Sequence, residues 1–548
     1  MPTINSVLNI AKTAIQTSQQ GLNVTAQNLA NVNTPGYTRQ QAVQTNAAAV
    51  PSGGLYFGTG VTVEAIQRVY DSFVEKQLRD SMSSMEYYGS KGQVVSNLEG
   101  VLNDLDGTGL SAVMDDFFNA LNDLANDPAA YPERVAVIST GTVLADQFVS
   151  IDSRARALID AGNEKLDNLA VKLNSLASDV ADLNDKIAAI EVLGTSANDL
   201  RDKRTVLLQE MAQIIDIQTV ETEQGIVDVS VGRGFSLVAG RTTQEISTQS
   251  DTDNGGIRKI LIGGTDISGF ISGGSMSGVL EGVNYVKDTL EKVDLLAATV
   301  IKEVNTVHRG GYGLDSSTGS DFFKVMSVTS ASRSQNTGGA SVTSASITSL
   351  GSLTLQDYEI RFSSATAYTV VNTSTNSVVT SGTYSSGSAI TFDGLSVTIT
   401  DQSGTPLAGD VFSVSTTSGA ARSMAVEISD PNKVAAASSS ATLPGDNTNA
   451  LALAALRDTA ASSLSDSTLA DYYQGIISEI GIVVNSADTN YSAQKTIRDQ
   501  LQLTRDNISG VSVEEESINI IRLQTAYQAA ARLVSTADEL FRTLINIR

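Results

Sequence analysis

Cysteine and tryptophan are absent from this chain of 548 residues, and it has a single histidine, His308. Without cysteine the chain can form neither a disulfide nor a thiolate metal site nor a cysteine nucleophile. With one histidine and no thiol, the chain can form neither a Cys-His pair nor a histidine-rich metal site. His308 precedes Arg309-Gly310-Gly311, which predicts a surface residue at the end of a helix. We therefore expect no enzyme activity, no cofactor and no metal site.

Two short segments match ligand-binding loops only in part. Residues 251–255 begin like a calcium loop, but Gly255 stands at the fifth ligand position and Ile262 stands where a bidentate Glu belongs. Residues 273–278 are rich in glycine but lack both the Lys of a P-loop and the spacing of a nucleophile elbow. The first segment is not an EF-hand, and the second predicts a turn before a helix.

Basic residues are scarce, since 36 Lys plus Arg stand against 60 Asp plus Glu and give a net charge of −24. Such a chain repels phosphate backbones and anionic lipid surfaces. No apolar run approaches the ~20 residues that span a bilayer. The N-terminus also lacks the basic-then-apolar layout and the cleavage site of a secretory signal. We expect neither nucleic acid nor membrane as a partner, and no cleaved signal peptide.

The first acidic residue is Glu64, so the N-terminal arm is a compositionally separate unit. Apolar and small residues recur there in alternating steps of four and three, which predicts one amphipathic helix over residues 4–30. Pro35 and Gly36 predict its end. Residues 39–64 contain Pro51, Gly53 and Gly54, which predict a hinge between the arm and the rest of the chain. The predicted stripe consists of Ile4, Leu8, Ala11, Ile15, Ser18, Leu22, Thr25 and Leu29.

The C-terminal residues repeat this alternation after the acidic run 514–516, which suits a helix N-terminus. A second apolar seam lies on an adjacent face, so the helix carries more apolar surface than one partner helix covers. The sequence leaves open whether the two arms form a single hairpin or join a larger group of helices. The first seam is Ile520, Leu523, Tyr527, Ala530, Val534, Ala537, Phe541 and Leu544, and the second is Ala526, Leu533, Leu540 and Ile547.

The middle of the chain changes composition once. Helical spacing over residues 166–190 predicts a third long helix, and short β-rich runs follow at 227–238 and 259–271. From Ser327 to Gly419 the chain becomes rich in Ser, Thr, Val and Gly, with alternating segments typical of strands.

These patterns predict a multidomain, mainly α fold. Its long terminal heptad helices pair as a coiled coil, and a mainly helical central domain with short β segments carries an inserted small β-domain. The expected borders are 1–60 and 508–548 for the terminal assembly domain, 61–325 and 426–507 for the helical domain, and 326–425 for the insertion.

The residues that end the N-terminal helix carry a resemblance to a known family. Ala30-Asn31-Val32-Asn33-Thr34-Pro35-Gly36-Tyr37 is similar to a segment of flagellar rod, hook and hook-associated axial proteins, and Thr38-Arg39-Gln40 resembles the hook-associated members. Residues 513–516 and 523–531 are similar to the closing helix of the same family. Residues 197–204 and 322–323 resemble its internal segments, so the likeness covers most of the chain except the β-insertion.

The resemblance implies a structural subunit of the bacterial flagellum at the junction between hook and filament, polymerising through its terminal helices. It implies an extracellular location reached by type III export without signal cleavage. The implied partners are the hook protein, neighbouring copies of the chain, hook-associated protein 3 and an export chaperone at the C-terminal helix. Alternatives are another axial subunit, either hook-associated protein 3 or a hook-type subunit, a secreted adhesin that binds glycans through its β-domain and, more remotely, a hydrolase.

Overall fold

The computed structural model describes residues 4–52, 55–103 and 109–546. Long helices dominate this part of the chain. The helices are α1 (Ile4–Ala30), α2 (Ser72–Leu102), α3 (Leu110–Asn126), α4 (Tyr131–Glu191), α5 (Asn198–Ile214), α6 (Gly274–Gly310), α7 (Ala420–Ser423), α8 (Thr448–Ala455), α9 (Leu469–Ser509) and α10 (Val513–Asn546).

The strands fall into three regions of the chain. Near the N-terminus lie β1 (Gln40–Asn46), β2 (Val50–Ser52), β3 (Leu55–Phe57) and β4 (Val61–Arg68). The middle contains β5 (Ile217–Glu221), β6 (Val227–Val231), β7 (Phe235–Ala239), β8 (Thr242–Thr243), β9 (Ile246–Ser250), β10 (Arg258–Ile262) and β11 (Thr265–Asp266). The insertion contains β12 (Thr329–Ser332), β13 (Ala340–Ile347), β14 (Tyr358–Ser364), β15 (Ala367–Asn372), β16 (Val378–Thr383), β17 (Ala389–Phe392), β18 (Leu395–Asp401) and β19 (Val411–Ser415).

The helical body is built around α2, α4, α6 and α9, which pack against one another. Helix α4 has 61 residues and, at ~1.5 Å per residue, is about 90 Å long. An 18-residue window of α4 has a mean hydropathy of 1.2 and so passes a length-and-composition test for a membrane span. Residues such as Leu144, Phe148 and Ile151 on this helix are buried in the core of the body. The apolar stripe of α4 therefore has neighbours within the chain.

Two antiparallel sheets form the β-insertion, with strand orders β12-β19-β14-β15-β16 and β13-β18-β17. Ile360, Phe362, Val397 and Phe412 are buried in its core. Alternating inward and outward residues explain why this region was recognised as strands from its sequence. The segments that enter and leave the insertion are bonded to each other, since the amide of Lys324 donates to the carbonyl of Ala425 at 2.8 Å.

The connector after α1 differs from the hinge that the sequence predicted. Strand β1 pairs antiparallel with β4, and β2 pairs with β3, so most of residues 40–68 lies in regular structure. The Thr17 hydroxyl donates to the carbonyl of Val61 at 3.2 Å and ties this ladder to α1. Glutamine and threonine interrupt the apolar alternation of β1, and this concealed the strand. Gly53 and Gly54, also part of the predicted hinge, lie outside the described residues.

His308 is buried, which corrects the prediction of a surface histidine. It lies in the last turn of α6 and is 1% exposed. The amide of Ala435 donates to Nε2 at 2.9 Å, so Nε2 carries no proton and Nδ1–H donates to the carbonyl of Ser320 at 2.8 Å. Burial lowers the pKa of His308 below its ordinary value. The histidine joins the end of α6 to the segment that returns from the insertion.

Acid should weaken the fold through His308. Its folded pKa lies below the unfolded value of ~6.5, so its stabilisation is full above that value and is lost as the pH falls towards the folded pKa. We expect the stability difference between the native protein and His308→Gln to shrink from pH 7 to pH 5, by at most about 1.4 kcal/mol per pH unit. Urea or thermal midpoints of both proteins at several pH values measure this difference.

Comparing the two proteins removes an opposing contribution from Asp294. Burial raises the pKa of Asp294 to about 6, so this carboxyl stabilises the fold as the pH falls through that range. Asp294 is present in both proteins and cancels in their difference. A difference that stays constant from pH 7 to pH 5 would contradict the role given to His308.

Candidate assembly interface

Helices α1 and α10 pack side by side. Ala11, Ala530 and Ala537 are buried. A Cβ atom added to Gly21 would lie 2.9 Å from Cδ2 of Leu523, so glycine leaves room for that leucine. This pair of helices brings the two ends of the chain together.

The predicted interface residues divide into three groups by exposure. The large aliphatic residues of the α1 stripe are only half-buried, and Ala526, Leu533 and Leu540 of the second α10 seam are exposed. Ile547, the last member of that seam, lies outside the described residues. Leu533 and Leu540 are 49% and 55% exposed. The buried residues are Ala11, Ala530 and Ala537; the half-buried ones are Ile4, Leu8, Ile15, Leu22, Leu29, Ile520, Leu523 and Val534; the exposed ones are Tyr527, Leu533, Leu540 and Phe541. Leu544 belongs to α10, but its side chain lies outside the described residues.

Other apolar residues of α10 extend this exposed surface. Ile518, Ile521 and Ile545 are exposed, and the heptad spacing does not predict them. They were missed because they fall outside both heptad seams. Together with the second seam they leave α10 with apolar surface that α1 does not cover, and single chains rarely expose large contiguous apolar patches without a binding role.

The motif after α1 forms a turn closed by its own backbone. The amide of Thr34 donates to the carbonyl of Asn31 at 2.9 Å, and the amide of Tyr37 donates to the carbonyl of Thr34 at 3.2 Å. Gly36 has φ = 80°, a conformation that favours glycine. A Cβ there would also lie 2.4 Å from Cγ2 of Val206. Asn33, Thr34 and Pro35 are exposed, whereas Asn31, Gly36 and Tyr37 are half-buried.

The side chain of Asn28 connects this turn to β1. Its Oδ1 accepts from the amide of Gln40 at 2.9 Å and from the Tyr37 hydroxyl at 2.9 Å. Its Nδ2 donates to the carbonyl of Gln40 at 2.9 Å. Burial, and then the carboxylates of Asp199 and Asp202, raise the pKa of Tyr37 to about 12, so its hydroxyl keeps its proton. Asn28 thus holds the turn to α1 through Tyr37 and holds β1 to α1 through Gln40.

Asp202 on α5 fastens the motif to the helical body. It accepts from the amide of Thr38 at 3.0 Å and from the Thr38 hydroxyl at 2.6 Å. It also pairs with Arg68 at the end of β4 at 3.1 Å, and both side chains are nearly buried. Asp199 accepts from the side chain of Gln40 at 2.9 Å. Sequence reasoning noted residues 197–204 as a family segment but gave Asp202 no role, because its partners lie more than 130 positions away.

The motif also contacts the C-terminal arm. The amide of Arg39 donates to the carbonyl of Ser509 at 2.7 Å, at the end of α9. The Arg39 guanidinium pairs with Glu515 in the first turn of α10 at 2.7 Å. Arg39 is one of only two charged residues among positions 1–63. Both arms and the body therefore meet at one point.

Removing the Asp202 carboxylate should loosen that point. We expect Asp202→Ala to lower the free energy of unfolding by about 3 kcal/mol, since it leaves Arg68 buried without its partner. Amide exchange at Thr38 should also accelerate. The matched control is Asp179→Ala, an exposed carboxylate beside the same turn, whose effect should stay within about 0.5 kcal/mol. Equal effects of the two variants would contradict the fastening role.

Models of known protein families match four separate segments of the chain. Residues 95–323 match the flagellar hook-associated protein FlgK helical domain, and residues 331–416 match the D2-like domain of flagellar hook-associated protein 1. Residues 8–38 match the flagella basal body rod protein family, and residues 505–547 match the flagellar basal body rod FlgEFG protein C-terminal family. The terminal matches contain the motif and α10.

Full-length relatives carry the same name. Flagellar hook-associated protein 1 of Escherichia coli is 29% identical over 565 aligned positions that cover 100% of both chains. The protein of that name from Bacillus subtilis is 27% identical, covering 98% of this chain and 97% of its own. The flagellar hook junction protein FlgK from Burkholderia pseudomallei shares the fold, with a TM-score of 0.67 and 19% identity over 80% of this chain and 100% of that one. Along its full length the chain is therefore similar to proteins named flagellar hook-associated protein 1.

Proposed function

We propose that this protein is a structural subunit of the bacterial flagellum that forms the junction between hook and filament. The observation that carries the proposal is the exposed apolar surface of α10 beside an α1 that is already paired. The names of the full-length relatives and the rod-protein likeness of both termini support it. In this role the protein carries load and needs no catalytic site or cofactor.

We propose that α1 and α10 pair as a coiled coil, and that the terminal assembly domain comprises residues 1–60 and 508–548. The seam alanines and Gly21 support close pairing, because small side chains let helix axes approach. The remaining borders are 61–325 with 426–507 for the helical domain and 326–425 for the insertion. The hydrogen-bonded entry and exit of the insertion support treating it as a separate unit.

The half-buried α1 stripe and the second seam of α10 are proposed as the contacts between subunits. A subunit in a tubular assembly meets its neighbours head to tail, so the surface on one copy must fit a different surface on the next. Leu533, Leu540 and Phe541 supply the apolar contacts on α10, and Ile4 and Leu8 supply those near the start of α1. The surface that completes folding of the arms would then also join the subunits.

The proposed partners are neighbouring copies, the hook protein, hook-associated protein 3 and an export chaperone bound to the C-terminal helix. The proposed location is extracellular, reached by type III export without a cleaved signal peptide. The acid-free first 63 residues support a role for the N-terminal arm that is distinct from the acidic remainder of the chain.

Gene deletion with complementation tests this function. Deletion should leave hooks without filaments, and immunogold labelling of complemented cells should give one band where hook meets filament. Label along the whole hook or filament would instead indicate another axial subunit, and label spread over the cell surface would indicate an adhesin.

Amide exchange should separate the arms from the body of the monomer. Isolated helices are marginal in water, and the large apolar residues of the arms are only partly covered. We expect residues 4–30 and 513–546 to exchange at least about tenfold faster than α2, α6 and α9. Mass spectrometry of exchanged peptic peptides measures this, with the buried helix α3 as a further internal control. Arms protected as strongly as the body would mean a preformed hairpin, and completion of folding on assembly would be excluded.

A further inference from the structure

A cation-lined cavity of 480 Å³ lies where β4, the start of α2, α5 and the β5–β6 edge meet. Arg68, Lys76, Arg79 and Arg204 line it, and Glu221 is the one acidic residue among its described lining. This concentration of positive charge occurs in a protein with a net charge of −24. Arg68 also pairs with Asp202, which fastens the motif, but within the part of the chain that the structure describes none of the other three cations is bonded to the motif or to the α1–α10 pair.

Three of these cations already have carboxylate partners. The pairs are Arg68 with Asp202 at 3.1 Å, Lys76 with Asp80 at 2.8 Å, and Arg204 with Glu221 at 3.1 Å. Their charges are therefore largely balanced within the chain. Any unbalanced charge in the cavity resides on the fourth cation.

Arg79 is that cation. Its side chain is 7% exposed, and its guanidinium donates to the Thr219 hydroxyl at 3.1 Å. The neutral hydroxyl of Tyr70 also bonds to it. Among the described residues no carboxylate lies within 4.0 Å of Arg79. Glu75, one turn earlier on α2, is engaged by Gln209 and Arg505 instead.

A buried guanidinium without a counterion is costly, because burial removes water from a full charge. The group carries five N–H donors in a planar fork, which matches two oxygens of one anion. The hydroxyls of Tyr70 and Thr219 bond to Arg79 and add neutral polar groups beside it.

We propose that this cavity binds one oxyanion, held by Arg79. The oxyanion is either free inorganic phosphate or a carboxylate side chain from a neighbouring copy, which share the two-oxygen chemistry that a guanidinium recognises. The walls come from β4, the start of α2, α5 and the β5–β6 edge, so a bound anion would tie these elements together. The cavity volume leaves room for the group that carries the anion.

The test uses the full-length protein with Phe73→Trp. Phe73 is exposed at the rim of the cavity, and the chain has no other tryptophan, so its fluorescence reports on this site alone. Sodium phosphate and sodium acetate are titrated separately at pH 7, each against sodium chloride of equal ionic strength. We expect a saturable fluorescence change with phosphate, acetate or both, and an affinity at least tenfold lower when Arg79→Gln is added.

The matched control is Arg241→Gln, which removes an exposed cation outside the cavity and should leave the affinity unchanged. Saturation by phosphate alone supports the free anion, and saturation by acetate supports the carboxylate of a neighbouring copy. No saturable change with either probe overturns the proposal, as does an affinity that Arg79→Gln leaves unchanged. If the double variant does not fold, the titration of Phe73→Trp alone still decides, because the absence of saturation is sufficient to reject the site.

Discussion

Leu533→Asp is expected to reduce incorporation of the subunit into flagella more than about a hundredfold while leaving the monomer folded. Leu533 is about half exposed on α10, so the change disturbs little within one chain. In the assembly it would place a charge in a packed apolar contact, which costs several kcal/mol at each subunit. A tenfold change in the equilibrium constant for incorporation corresponds to ~1.4 kcal/mol. A cost of several kcal/mol therefore reduces incorporation by about two or three factors of ten. Immunoblots of purified flagella and the fraction of cells with filaments measure the effect.

Ser535→Asp is the matched control for this experiment. It adds the same charge two positions away, on the face of α10 that carries Asp538 and Arg542. Circular dichroism should show unchanged helix content for both variants, and Ser535→Asp should be incorporated normally. Normal filaments on cells carrying Leu533→Asp would remove the second seam of α10 from the proposed interface.

Arg134→Met is expected to destabilise the helical body by about 3–5 kcal/mol. Arg134 is fully buried near the start of α4 and donates to backbone carbonyls, at 2.6 Å to Pro128 and at 2.6 Å to Val434. Methionine fills much of the space but cannot donate, so these carbonyls lose their partner, and each buried unsatisfied group costs about 1–3 kcal/mol. At roughly 2–4 °C per kcal/mol, the thermal midpoint should fall by about 10 °C.

Arg457→Met provides the comparison for Arg134. Arg457 pairs with Asp115 at 2.8 Å on the surface, where an ion pair contributes less than about 1 kcal/mol. Scanning fluorimetry of both variants at one pH gives the two midpoints. Equal thermal midpoints for Arg134→Met and Arg457→Met would contradict this prediction. They would show that the hydrogen bonds from Arg134 to the carbonyls of Pro128 and Val434 contribute little to stability.

The end of α1 and the start of α10 could be predicted within about one residue because local signals mark them. Pro35 and Gly36 prevent α1 from continuing, and the acidic residues 514–516 favour the start of α10. The β-insertion was equally visible, since alternation of apolar and polar residues is itself a local property. Such features depend on neighbours in sequence and need no knowledge of the fold.

The contacts that fix the candidate interface were not predictable in the same way. Asp202 is one of 60 acidic residues, and nothing near it in sequence distinguishes it until Thr38 and Arg68 are brought alongside. His308 looked like a surface residue because polarity alone argues for exposure, yet two backbone groups from distant segments satisfy both ring nitrogens. The roles of Asp202 and His308 depend on partners that are distant in sequence, and the periodicity of apolar residues carries no information about those partners.

The β-insertion leaves the body and returns to it at adjacent backbone positions, where Lys324 and Ala425 are hydrogen-bonded. Ser334 also bonds to Asp253, and the amides of Gly419 and Ala421 bond to Asp294, so further contacts hold the insertion against the body. Because its two ends lie side by side, the segment between them can lengthen or shrink with little change in the spacing of the helices beneath it. The same attachment makes the insertion the natural position for a fluorescent or affinity tag in a functional subunit.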